Sequence, residues 1–163
     1  SEERVRPKDR INLVDQLQST IKSLEPLAKA GGTRLRLQAP SIPVEIPADP
    51  DQIQQVFTNL IENALKYGGK EVAVVLTVLD RDPALRCPAV RIQVIDDGPG
   101  IDPVHLPRLT ERFYRADNHR SRELGGTGLG LAIVKHIINR HRGRLRVESD
   151  LGQGATFTVI LPQ

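Results

Sequence analysis

Asp49-Pro50-Asp51-Gln52-Ile53-Gln54-Gln55-Val56-Phe57-Thr58-Asn59-Leu60-Ile61-Glu62-Asn63-Ala64-Leu65-Lys66-Tyr67-Gly68-Gly69 carries its own start, face and stop. Asp49 is a helix N-cap residue, Pro50 fills the first turn where a missing N–H costs nothing, and Asp51 meets the positive end of the helix dipole. Ile53, Val56, Phe57, Leu60 and Ala64 recur at spacings of three and four, so the pattern predicts a helix to Tyr67 that closes on Gly68-Gly69. Directly after it, Val72–Leu79 and Val90–Ile95 are β-branched runs joined by the turn-rich segment Asp80–Pro88. They predict neighbouring antiparallel strands.

Working outward, Leu13–Ala30 places Leu13, Leu17, Ile21, Leu24, Leu27 and Ala28 on one helical stripe, with Gly31-Gly32 as its stop and Pro26 a potential kink in its last turn. Leu35 and Leu37 alternate with arginines, an edge-strand pattern, and Pro40, Pro43 and Pro47 leave room only for a short strand at Val44–Ile46. Downstream, Thr127–His141 reads as a helix with Leu131, Val134, Ile137 and Ile138 inward. Leu145–Val147 and Thr156–Ile160 pair as a terminal hairpin. This order is not a regular βαβ alternation. It predicts an α/β chain of the α+β kind, a two-layer sandwich of mixed sheet with helices packed on one face.

A chain of 163 residues suits one domain. Residues 1–10 read as a linker or the end of a preceding element, and 11–163 as the domain. With 39% hydrophobic and 26% charged residues the composition is that of a globular domain. The longest apolar stretch, Val72–Leu79, falls short of the roughly 18 residues of a membrane span, and Ser1–Arg10 lacks a signal-peptide core. A net charge of +3 and 3% aromatics point away from a nucleic-acid partner. The single cysteine, Cys87, excludes an internal disulfide and a cysteine-clustered zinc site. The expectation is a soluble cytoplasmic domain that makes no membrane contact.

Three stretches carry chemistry. Asn59, Asn63 and Lys66 follow one another at spacings of four and three and line one flank of the central helix. Carboxamide oxygens can ligate a hard cation such as Mg²⁺, and a lysine one turn on adds a point charge for phosphate. Taken alone, these residues read equally well as a solvated flank. Asp96-Asp97-Gly98-Pro99-Gly100 follows a buried strand, and its glycines permit close backbone approach; by itself an ordinary acidic turn is the commoner reading. Gly125-Gly126-Thr127-Gly128-Leu129-Gly130-Leu131 leads into a helix, where free amides and the dipole favour an anion. It fits neither the dinucleotide pattern, which needs glycine where Leu131 stands, nor a P-loop, which needs Gly-Lys-Ser/Thr. His136 and His141 lie five apart and cannot act as a zinc-binding i,i+4 pair. Between the second and third stretches, residues 102–125 form a long polar segment of the kind usually reserved for function.

Together and in this order, the motifs resemble the ATP-binding catalytic domain of sensor histidine kinases in the GHKL, or Bergerat-fold, ATPase superfamily. Asn59–Tyr67 is similar to that family's N box, Asp96–Gly100 to its first glycine box, Glu111–Arg115 to its F box and Gly126–Leu131 to its second glycine box. The wording around Phe113-Tyr114-Arg115 and His136–Gly143 is most similar to phosphate-starvation sensors. The resemblance covers Ile11 to Pro162 and implies a Bergerat-type sheet with an ATP lid at about 102–125.

The resemblance further implies ATP and Mg²⁺ as cofactors. It implies that Asn63 holds the metal, that Asn59 lies beside it in the phosphate site as a catalytic position, and that Lys66 and Tyr67 contact the phosphates and ribose region. Asp96 would accept from the adenine amine, with Gly98, Gly100 and Ile101 shaping the base pocket. Arg115 would reach the γ-phosphate, and Gly126, Thr127, Gly128, Leu129 and Gly130 would meet the phosphates. Asp97 stands where asparagine is commoner in the family. None of the four histidines lies in the family's phosphoacceptor motif. The resemblance therefore implies a catalytic half, monomeric by itself, that serves an upstream histidine-bearing dimerisation domain. Through that domain it would serve a response regulator, in a parent anchored in the inner membrane. The alternative is a nucleotide-binding regulatory module, such as an anti-sigma-type kinase or a degenerate sensor.

Overall fold

The computed structural model describes residues 5–101 and 130–163. Their elements, in chain order, are β1 (Arg10–Asn12), α1 (Leu13–Ala30), β2 (Arg34–Gln38), β3 (Glu45–Pro47), α2 (Pro50–Tyr67), β4 (Glu71–Asp82), β5 (Cys87–Asp96), α3 (Gly130–Arg140), β6 (Arg144–Ser149) and β7 (Ala155–Pro162). Five strands form one sheet in the order β2-β4-β5-β7-β6, and β1 pairs with β3 in a separate ribbon. Only β2 and β4 run parallel within the large sheet, with Leu35 opposite Val72; the other neighbours are antiparallel.

The three described helices cover one face. Helix α1 packs on β2, α2 on β4 and β5, and α3 on β6, while α2 touches both other helices. The core is the alternate set that the strand period turns inward: Val72, Val74 and Leu76 of β4, Val90, Ile92 and Val94 of β5, and Phe157, Val159 and Leu161 of β7. Against them lie Leu13, Leu17, Ile53, Phe57, Leu60, Ile61, Val134 and Ile138. Burying each such side chain contributes roughly 1.5–3 kcal/mol, which makes the α2 stripe the main anchor of the helical layer.

Helix α2 begins as its sequence dictates, with the Asp49 carboxylate accepting from the amides of Asp51 and Gln52 at 3.0 and 3.1 Å. Helix α1 begins on Asn12, whose side chain accepts from Val14 and Asp15, and continues unbroken through Pro26. The short strand expected at Val44–Ile46 lies at Glu45–Pro47, because its register is set by pairing with Arg10–Asn12. Asp9 also belongs to this ribbon, its carbonyl accepting from the Ala48 amide at 2.7 Å. The last helix ends at Arg140, one residue before the expected His141. There the amides of His141 and Gly143 fold back on the carbonyls of Ile137 and Ile138, and Arg142 adopts a positive φ of 62°. No described helix is long and apolar enough to cross a membrane.

Candidate functional site

The last turn of α2 and the end of β5 meet backbone to backbone. A Cβ placed on Gly98 would lie 2.7 Å from the Gly68 Cα and 2.8 Å from the Tyr67 carbonyl oxygen. Glycine is required here because no side chain can rotate away from a main-chain neighbour. The contact brings Asn63, Lys66 and Tyr67, from one motif, against Asp96, Asp97 and Gly98, from another. Asp96 is buried, and its Oδ1 accepts from the Gly98 amide at 2.9 Å. Asn63 and Tyr67 are half-buried, whereas Lys66 is exposed at the last turn of the helix.

Asp97 faces away from Asp96 and stitches the other side of the junction. Its Oδ1 accepts from the Glu71 amide at 3.0 Å. That amide, with those of Lys70 and Gly69 behind it, holds the Asp97 carboxyl below the usual carboxylate range. Asp97 thus fixes the Gly68–Lys70 connection between α2 and β4. The departure from the family's commoner asparagine at this position has a structural occupant.

At the other end of the same flank, Asn59 meets the start of α3. A Cβ on Gly130 would lie 2.5 Å from the Asn59 Nδ2, so the helix carrying Gly130 sits directly on this carboxamide. The Asn59 Oδ1 is buried and has no hydrogen-bond partner among the described residues. A buried acceptor without a donor is costly, and its chemistry suits a hard cation or a water bound to one. Among the described residues no three His, Cys, Asp or Glu side chains converge on a metal position. A cation on this flank would take a carboxamide oxygen, with water and oxygens brought by the substrate completing the octahedral oxygen shell that Mg²⁺ demands. The residues fit the ion.

The floor of the junction is the β6–β7 turn. Ile101 is buried, and its amide donates to the Ser149 Oγ at 2.8 Å. The Gly152 amide donates to the Pro99 carbonyl at 2.7 Å. Gly100, at φ 77°, lies against Ser149 and Asp150. The glycines of the Asp96–Gly100 stretch were expected to admit a ligand; Gly98 and Gly100 are also demanded by the protein's own backbone.

The structure thus gathers Asn59, Asn63, Lys66, Tyr67, Asp96, Gly98, Gly100, Ile101 and Gly130 along one line, from the start of α3, down α2, to the end of β5. Arg115, Gly126, Thr127, Gly128 and Leu129, with the expected lid, lie outside the described residues. Sequence reasoning missed Ser149 and the turn after it, the Asp97 stitch and His141. The turn had a signal in Gly152 and Gly154; Ser149 had none.

His141 is 1% exposed. Its Nε2 accepts from the Asp49 amide at 3.0 Å, and Nδ1 lies 2.8 Å from the Ile137 carbonyl oxygen, so Nδ1 carries the proton. Burial pushes its pKa down, with the Arg140 guanidinium adding to the effect. Arg140 itself bonds Asp49 at 3.3 Å and Gln52 at 2.6 Å. This cluster fastens the end of α3 to the start of α2 and so sets how the two helices present their site residues.

A mixed five-stranded sheet covered on one face by helices, with the central helix joined at its last turn to a buried strand-end carboxylate, is the architecture of a Bergerat-fold ATPase domain. Residues 48–163 match the family model described as histidine kinase-, DNA gyrase B- and HSP90-like ATPase, and the chain belongs to that family. It is 42% identical over 147 residues to the phosphate regulon sensor protein PhoR of Pseudomonas aeruginosa, covering 89% of this chain and 32% of that protein. It is 42% identical over 114 residues to the sensor protein kinase WalK of Staphylococcus aureus, covering 70% of this chain and 24% of that one. Among solved structures, full-length ShkA in complex with AMPPNP superposes with a TM-score of 0.78 at 27% identity, over 97% of this chain and 31% of that chain. The chain spans about a third or less of the length of these curated relatives.

Proposed function

We propose that this domain binds Mg-ATP at the α2–β5 junction and donates the γ-phosphate to a histidine on a separate, upstream dimerisation domain, from which it passes to a response regulator. The observation that carries the reading is the junction itself. Two motifs about thirty residues apart are locked together by backbone contact at Gly98, with a buried carboxylate at one end and, at the other, a carboxamide oxygen that has no partner among the described residues.

Asp96 would accept from the exocyclic amine of the base and fix its orientation, with Gly98, Gly100 and Ile101 lining the base. Asn63, with Asn59 beside it, would hold the metal, which neutralises charge on the phosphates when bound. Lys66 and Tyr67 would contact phosphates and ribose, and the resemblance assigns Arg115 to the γ-phosphate. Phosphoryl transfer asks little covalent chemistry of a protein and much positioning. In the proposed step the bond between the γ-phosphorus and the ADP oxygen breaks, ADP leaves with that electron pair, a bond to an imidazole nitrogen forms, and the imidazole proton is released to water.

Asn59 occupies the position where hydrolases of this superfamily carry a glutamate base. A carboxamide has no useful basicity near neutral pH, which favours transfer over hydrolysis. The match to the phosphate regulon sensor PhoR supports a phosphate-responsive parent. Identity to WalK is equal over a shorter stretch, 114 residues against 147.

The test uses radiolabelled Mg-ATP, this chain and a supplied histidine-bearing dimerisation domain. Acid-labile, base-stable label on the supplied domain is expected, and Asn63→Ala should abolish it by removing the metal ligand. Hydrolysis of bound ATP with no label on the acceptor would overturn the transfer reading.

A further inference from the structure

The β6–β7 turn lies beneath the Asp96–Ile101 loop and is bonded to it at two points. The Ser149 hydroxyl accepts from the Ile101 amide at 2.8 Å and donates to the Gly154 carbonyl at 2.8 Å. The Gly152 amide reaches the Pro99 carbonyl at 2.7 Å. Gly154, at φ 91°, packs so closely that an added Cβ would collide with the Asp96 carbonyl oxygen. Asp96 and Ile101, the two ends of the loop, are therefore held by one turn. Within that turn the Ser149 side chain bonds both the loop and the turn itself.

We propose that Ser149 is a positioning residue for the base end of the nucleotide site. Its hydroxyl bridges Ile101 and Gly154 and keeps the Asp96 carboxyl at the distance from α2 that spans base to phosphates. It does not touch the nucleotide. The inference rests on the Mg-ATP reading above and adds a residue to which neither the motifs nor the family match gives a role. Removing the hydroxyl leaves the Ile101 amide without its acceptor and the Gly154 carbonyl without its donor, while every residue of the phosphate end stays in place. The loss should therefore appear in the part of affinity that all adenine nucleotides share.

The experiment is calorimetric titration of the whole chain with ATP and with ADP, each with and without Mg²⁺, well below the melting temperature. Ser149→Ala should bind both nucleotides about tenfold more weakly, the cost of one or two lost hydrogen bonds. The ATP-to-ADP ratio and the Mg²⁺ dependence should not change. Ser149→Thr, which keeps an oxygen at the same place, should restore affinity to within about twofold of wild type. Wild-type affinity in Ser149→Ala, or no rescue by threonine, would overturn the inference while leaving the nucleotide reading intact. A wild-type chain that binds no nucleotide would overturn the nucleotide reading, and the inference with it. Should Ser149→Ala fail to fold, hydrogen exchange on the wild-type chain decides. The inference requires a protected Ile101 amide, and exchange at the rate of an open amide overturns it.

Discussion

Gly98→Ala isolates the claim that two motifs form one site. The new methyl would lie 2.7 Å from the Gly68 Cα, 2.8 Å from the Tyr67 carbonyl oxygen and 2.9 Å from the Gly68 carbonyl carbon, all of them backbone. Ordinary contact begins near 3.4 Å, so the end of α2 and the end of β5 must separate by about 0.7 Å (3.4 less 2.7). Overpacking of this kind costs about 1–3 kcal/mol. For a domain of this size that is a fall of about 2–12 °C in Tm. Because the separation runs between Asp96 and Asn63, affinity for Mg-ATP should fall by at least about tenfold, more than stability loss explains in a chain that remains folded at 10 °C or so. The matched control is Gly32→Ala, at φ 70° with no atom within 4 Å of the added carbon. It pays only the left-handed backbone cost of about 1–2 kcal/mol and should bind Mg-ATP as wild type does. Thermal melts and calorimetric titration of the two variants side by side give the answer. A Gly98→Ala chain with wild-type affinity would refute the idea that the junction sets the distance between base and phosphate ligands.

Acid should loosen the α2–α3 fastening. His141 has its pKa lowered by burial, with Arg140 and Arg6 adding to the effect and Asp49 opposing it, so the unfolded chain takes up the proton first. Its contribution to stability is complete above about pH 6.5 and is lost as pH falls below that value toward the folded pKa. Melts at pH 8 and pH 5.5 should show a lower Tm at pH 5.5, with a smaller difference in His141→Asn. Equal Tm values in the wild type would contradict the assignment. Asp49, held low by the Gln52 amide and then by Arg140, adds its own loss only at more acid pH, below its ordinary value of 3.8. Finally, with Asn59 in place of a base and no acceptor histidine, the isolated chain should turn over ATP negligibly and leave itself unlabelled; brisk steady-state phosphate release would contradict this.

The helical layer and the strand pair could be read from the chain because burial writes itself as period. Phe57 and Leu60 recur at helical spacing, Val72 and Val74 at strand spacing, and the Asp49 cap and Gly68-Gly69 stop bracket α2 on the page. What escaped was set by contacts between distant segments. Nothing around Arg10–Asn12 announces a strand until Glu45–Pro47 lies opposite it. His141 stands between two arginines and carries no mark of burial in the sequence, yet the fold buries it against the Asp49 amide. The Asp96–Gly100 glycines were legible as a close approach, but their partners at Tyr67, Gly68 and Asp150 were not, since a glycine names the need for space and not its occupant. Asp97 and Ser149 are common residue types at loop and strand ends, and only their bonds to Glu71 and Ile101 mark them out.

The most direct measurement is a residue-by-residue map of nucleotide binding from the amide resonances of the isotope-labelled chain, titrated with Mg-ATP and then with ATP plus a chelator. Saturable shifts are expected at Asn59, Asn63, Tyr67, Asp96, Gly98, Ile101 and Gly130, those near Asn59 and Asn63 falling away with the metal while those near Asp96 persist. Saturable shifts confined instead to the opposite face of the sheet, around Arg91 and Arg146, or no shifts at all, would contradict it.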